Sequence, residues 1–143
     1  MSIKKLLFLI IIILIITSGL TAIFYSFYII RDVRRITMDL KVEDSSVIGM
    51  NVDNDGLHFG TVPRGGSSTR RMIINHKEHY PLFVSIHTYG NFLDWLAISD
   101  NNFIVEPNTD KEIKFTVSVP GNALSQVYNG TVIIVMKRAY SNI

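Results

Sequence analysis

Cysteine is absent from the chain, which excludes a disulfide scaffold, cysteine-ligated zinc or iron–sulfur clusters, and thiol catalysis, and leaves the redox compartment open. Catalytic signatures are missing too. There is no nucleophile elbow, no phosphate-cradling loop and no carboxylate pair set in an apolar pocket pattern, so the residues point away from an enzyme and no cofactor is expected. Positive charge is scarce where a nucleic-acid domain would need it. From residue 36 onward 9 basic residues stand against 11 acidic ones, so nucleic acid is not expected as a partner.

What the chain has is one long apolar run. Its 143 residues allow a single domain, and 20 of the 25 residues from 6 to 30 are apolar with no charge among them. At about 1.5 Å per residue this run exceeds a hydrocarbon core of about 30 Å. It is read as a transmembrane helix acting as a signal anchor, preceded by a basic N-terminal segment (1–5) with Lys4 and Lys5. Phe24, Tyr25, Phe27 and Tyr28 suit an interfacial belt. The competing reading is a cleaved signal peptide cut near Thr21 or Ala22, which would leave a greasy stub up to Ile30.

Residues 31–35 read as a short basic linker whose Arg31, Arg34 and Arg35 suit phospholipid headgroups, making the bilayer the first expected partner. Charges on the two sides of the span nearly balance, so the positive-inside rule is close to a tie. A basic start followed by a long apolar run is the usual export-anchor layout. The expected address is therefore the cell membrane, single-pass, with the soluble domain extracytoplasmic.

Beyond residue 35 the dominant period is two. Ile36, Met38, Leu40 and Val42 alternate with polar neighbours, as do Leu82, Val84 and Ile86, and Ile113, Phe115, Val117 and Val119. Such alternation marks strands with one buried face. Further strands are read at 47–52, 57–62, 69–75, 95–99, 103–105 and 130–138. Residues 132–136 are apolar on both faces and suit a central strand. Gly, Pro, Asn and Asp punctuate these runs at Asn54-Asp55-Gly56, Pro63-Arg64-Gly65-Gly66, Tyr89-Gly90-Asn91, Pro107-Asn108 and Pro120-Gly121-Asn122. The expected fold class is all-β: an Ig-like antiparallel β-sandwich of seven to nine strands over 36–143, with a small barrel as the alternative.

Particular residues carry a family resemblance. Leu57-His58-Phe59-Gly60-Thr61-Val62, the small-residue turn Arg64-Gly65-Gly66-Ser67-Ser68, a strand ending at Asn75, and then Pro81-Leu82-Phe83-Val84 resemble the opening of the immunoglobulin-like domains related to major sperm protein and the ASPM/Hydin group. Pro107, Val117-Ser118-Val119-Pro120 and Tyr128-Asn129-Gly130-Thr131-Val132 are similar to the closing strands of prokaryotic surface Ig-like modules, archaeal ones included. The resemblance implies a binding or assembly module with no catalytic set to transfer.

Several constellations compete with plainer readings. Asn51 to Gly56 copies the first half of an EF-hand loop, making Asp53 and Asp55 a weak calcium candidate, but Val62 occupies the position of the bidentate Glu. His76 and His79 are read as polar loop residues, because their spacing is not that of a helical zinc pair. His58 and His87 are read as surface or cross-strand residues. Asn129-Gly130-Thr131 is a glycosylation acceptor triplet that also reads as a hairpin turn. Arg64, Arg70, Arg71 and Lys77 are read as one interaction patch over neighbouring strands. Trp95 is read as core.

The expected function is that of a non-catalytic, membrane-anchored Ig-like protein mediating protein binding or assembly at the cell envelope, with a protein partner at the membrane surface and homo-oligomers allowed. The alternative is a component of a pilus or archaeal flagellum, either a filament subunit or a membrane-bound stator. Against a processed filament subunit, Lys4-Lys5 is followed by Leu6 rather than a small residue.

Overall fold

The structure, a computed structural model, describes residues 3–26, 30–44 and 56–139. It opens with helix α1 (Ile3–Phe24), whose 22 residues come to about 33 Å at 1.5 Å per residue. None of its side chains is buried. The helix is long and apolar enough to cross a membrane, a property that signal sequences near an N-terminus share. Its polar residues keep their hydrogen bonds inside the helix: Thr17 Oγ1 donates to the Ile13 carbonyl (2.9 Å) and Thr21 Oγ1 to the Thr17 carbonyl (2.8 Å). Hydroxyls satisfied in this way are tolerated in apolar surroundings.

Eight strands follow: β1 (Ile30–Val42), β2 (Gly56–Val62), β3 (Ser67–Asn75), β4 (Leu82–Gly90), β5 (Leu96–Ile98), β6 (Phe103–Val105), β7 (Asp110–Ser118) and β8 (Val127–Arg138). They form a five-stranded sheet in the order β2-β1-β8-β4-β6 and a three-stranded sheet in the order β3-β7-β5. One apolar cluster takes Met38, Leu40, Phe59, Val84 and Ile134 from the larger sheet and Ile74, Ile113, Phe115 and Val117 from the smaller. Two layers sharing one core are consistent with a β-sandwich. Strand β8 is the middle strand of the larger sheet, as its two apolar faces suggest.

The structure corrects the boundary between span and domain. The span was expected to run to residue 30 and a linker to fill 31–35, yet α1 ends at Phe24 and β1 already begins at Ile30. Arg31, Arg34 and Arg35 therefore belong to the sheet. Val33 pairs with Val135, Arg34 with Ile134 and Arg35 with Ile133. The physical reason is that β8 runs on to Arg138 and offers backbone partners that a free linker would leave to water.

A second correction concerns direction. β1 and β2 pair in parallel, so the larger sheet is mixed rather than antiparallel. Side-chain alternation reports which face is buried and carries no information on strand polarity; a parallel pair requires a crossover of about a dozen residues, and residues 43–55 supply that length. Within this pair the register slips between Asp39↔His58 and Lys41↔Thr61, with Gly60 at φ +76°. This bulge lets both Phe59 and Val62 point into the core although they are three positions apart, an odd spacing that would otherwise put them on opposite faces.

Asn129-Gly130 does not form a hairpin turn. Both residues lie inside β8, where Asn129 pairs with Asp39 and Gly130 with both Met38 and Gly90. A Cβ on Gly130 would fall 2.7 Å from the Tyr89 carbonyl oxygen and 2.8 Å from Met38 Cε, so the glycine is there for close approach. Trp95 is also displaced from its expected place. It sits in a single 3₁₀ turn (Leu93–Trp95), partly buried against the Tyr128 ring at 4.7 Å, while Phe92 fills the core, edge-on to Phe59.

Two outcomes are expected. Phe115, fully buried at the centre of β7, should cost about 3 to 5 kcal/mol in urea denaturation when changed to Ala, because the cavity cannot collapse between two sheets. A fragment starting at Ile30 should fold without α1, and one starting at Ile36 should be less stable by roughly 2 kcal/mol or more, having lost several backbone hydrogen bonds to β8.

Candidate functional site

The four cations expected to form one patch are dispersed. Arg64, in the turn between β2 and β3, pairs with Asp44 (Nη1 to Oδ2, 3.0 Å) and donates from Nε to the Ala123 carbonyl (2.7 Å) and from Nη2 to Ser125 Oγ (3.0 Å). It thereby ties three loops at one end of the domain. Arg70 Nε donates to the His58 carbonyl and joins the β3 edge to the β2 edge. Arg71 is exposed, 3.9 Å from Glu112. Lys77 lies beyond the far end of β3, which at about 3.3 Å per residue puts it roughly 30 Å from Arg64. A run of cations in sequence says nothing about which sheet edge each one closes.

The other candidates resolve separately. Asp53 and Asp55, like the strand expected at 47–52, lie outside the described residues, and among the described residues no group of three or more ligating side chains is placed to hold a metal. His76 is buried and donates from Nε2 to the Tyr80 carbonyl, while His79 is exposed in the loop before β4, so the two do not act as a pair. His58 Nδ1 meets Asp39 Oδ1 across β1 and β2. Asn129 is exposed in β8.

One polar cluster was not anticipated. Ser85 Oγ lies 3.2 Å from His87 Nε2 and donates to Asn102 Oδ1 at 3.0 Å. With its proton committed to Asn102, the hydroxyl accepts from His87 rather than being deprotonated by it, the reverse of what an activated nucleophile needs. Asn101 acts as a strand substitute beside β4: its Oδ1 accepts from the Ile86 N–H (2.7 Å) and its Nδ2 donates to the Ile86 carbonyl (2.8 Å). The cluster is thus an edge closure continuing the short strand β6.

Two surfaces remain that could meet a partner. On the outer face of the larger sheet, the register sets Ile104 beside Phe83, Val135 beside Val33, and Ile133 between His87 and Arg35. Val33, Ile104 and Tyr89 are 53%, 56% and 57% exposed. Arg35, Tyr89, Thr131 and Ile133 line a shallow groove of about 350 Å³ there. Single exposed apolar residues are ordinary, but this face carries apolar side chains on each of four strands, with Val33 beside Val135 and Ile104 beside Phe83 as direct pairs. The visible signal in the sequence is the apolar outer parity of Ile133 and Val135, which a solvent-facing strand would fill with polar residues.

The second surface is a cleft of about 340 Å³ at the end of the domain where β1 starts, lined by Arg31, Asp32, Arg34, His76, Lys77 and Tyr80 among others. Ile30 pairs with Lys137 and Leu82 with Arg138, so the two cations ending β8 stand at the same end. Sequence spacing hides this, because about a hundred residues separate Arg31 from Lys137 and only the sheet register unites them.

No family model, curated protein or solved structure matches the chain. Asn101→Ala should cost about 1 to 2 kcal/mol by chemical denaturation, since it strips both backbone partners from Ile86 at the sheet edge.

Proposed function

We propose that the chain is a single-pass membrane protein, anchored by α1 at the cell membrane, whose extracytoplasmic Ig-like β-sandwich binds another protein at the membrane surface and performs no catalysis. The carrying observation is the apolar outer face of the five-stranded sheet, in which Val33, Tyr89 and Ile104 are each more than half exposed. The two sheets around one core support the Ig-like reading, as does the resemblance of residues 56–137 to the major sperm protein group, whose members serve as binding or assembly modules.

The charge on this face selects the partner's chemistry. Arg35 and Lys137 share the outer parity, whereas Lys41 is paired with Glu43 at 2.8 Å and the carboxylate of Asp39 is engaged by His58. An apolar centre with cationic flanks complements a protein surface with an acidic rim. A second copy would bring like charges into the contact, which disfavours self-association through this face.

Crosslinking in native membranes, read by mass spectrometry, tests the proposal. Val33→Glu with Ile104→Glu should abolish the principal crosslink while changing stability by no more than about 1 kcal/mol, the usual scale for exposed positions. An undiminished crosslink in this variant overturns the assigned surface. Protease added to intact cells should remove a C-terminal tag, and a protected tag overturns the extracytoplasmic placement.

A further inference from the structure

We infer that the cleft at the β1-start end of the domain is a binding site for a phosphodiester, the group that links a phospholipid headgroup to its glycerol; its membrane source rests on the reading of α1 as a retained anchor.

The cleft is organised around Tyr80. Arg31 Nε donates to the Tyr80 hydroxyl at 2.7 Å with its Cζ 5.4 Å from the ring centroid, and Arg138 Cζ lies 4.5 Å from the same centroid. One aromatic ring thus gathers two guanidinium groups, and cation–π attraction holds them against their mutual repulsion. An anion in the cleft meets the Arg31 guanidinium and Lys77, both of which line it, and a guanidinium fork matches phosphate oxygens in geometry. Neither Arg31 nor Lys77 has an ion pair among the described residues, whereas Arg34 is paired with Asp32 at 2.8 Å. Positive charge in the cleft is therefore available rather than consumed. His76, held by the Tyr80 carbonyl, fixes the backbone of the loop that carries Lys77 and Tyr80.

The cleft also discriminates by charge. Glu78 and the Asp32–Arg34 pair stand among its walls, so a second negative charge on the ligand would be opposed. This favours a singly charged diester over a phosphomonoester or polyphosphate. Position supplies the source. Arg31 follows Phe24 by seven residues, a reach of no more than about 25 Å fully extended, so a cleft at this end lies near the headgroup layer into which α1 would emerge.

The test uses the full chain in nanodiscs of digalactosyl diacylglycerol, a phosphate-free bilayer lipid, doped with phosphatidylglycerol. Native mass spectrometry counts the lipids that stay bound on release. Phosphatidylglycerol should be retained in roughly tenfold excess over its share of the bilayer, as expected when two or more cations act on one phosphate. Arg31→Gln with Lys77→Gln should remove the excess, Arg71→Gln should preserve it, and both variants should melt at the temperature of the unaltered chain. Glycerophosphoglycerol, the soluble headgroup diester, is titrated against the same chain by phosphorus NMR. Saturable binding there, lost in the double variant, shows that a free phosphodiester also serves as ligand, and retention of the lipid alone assigns the membrane as source. Absence of both, or an excess unchanged in the double variant, overturns the site. If the chain does not enter the discs, the anchor reading falls, and the soluble titration alone decides the site.

Discussion

Pairing of β8 on both its sides is the constraint on which the rest of the domain depends. Eleven of its residues pair with β1 on one side, and nine pair with β4 on the other. These two ladders hold the three central strands of the larger sheet in register, and β2 and β6 add to their outer sides. Val132, Ile134 and Met136 point from β8 into the core, all nearly solvent-free, so a slip by one residue would expose them and bury Thr131 and Lys137. Such a slip would also dissolve the neighbourhood of cations at the β1-start end, because Lys137 and Arg138 would no longer stand opposite Ile30 and Leu82.

The sheet edges are closed by side chains as much as by strands. β6 contributes only three residues, and the edge it leaves open on β4 is taken by the Asn101 amide. On the opposite side, Arg70 reaches the His58 carbonyl and Ser68 Oγ donates to the Phe59 carbonyl, so β3 of one sheet satisfies β2 of the other. Unpaired strand edges invite association with other chains. Closing them in this way leaves the outer face and the β1-start cleft as the surfaces with chemistry to offer.

These two surfaces share strand β1. Arg34 lines the cleft while Val33 and Arg35 look onto the outer sheet face by strand alternation, and Arg31 joins Arg34 because the register shifts between Ile30 and Asp32. Strand pairing from Ile30 onward makes the start of β1 part of the sheet, so both surfaces are held by the same ladder to β8.

Period-two alternation and turn residues were enough to locate the strands at Leu57, Leu82, Phe103, Phe115 and Ile134, because burying one face of a strand forces that pattern locally. The 22-residue helix was legible for the same reason: an uninterrupted apolar run has few other uses. What the tertiary structure decided is everything that depends on which strand lies beside which. The parallel pairing of β1 with β2, the placement of Gly130 within a strand and not a turn, the scattering of Arg64 and Lys77 to opposite ends, and the meeting of Arg31 with Arg138 across Tyr80 are all matters of register. Local sequence specifies the face each side chain takes; its neighbours on that face come from strands up to a hundred residues away, chosen by the packing of the whole core.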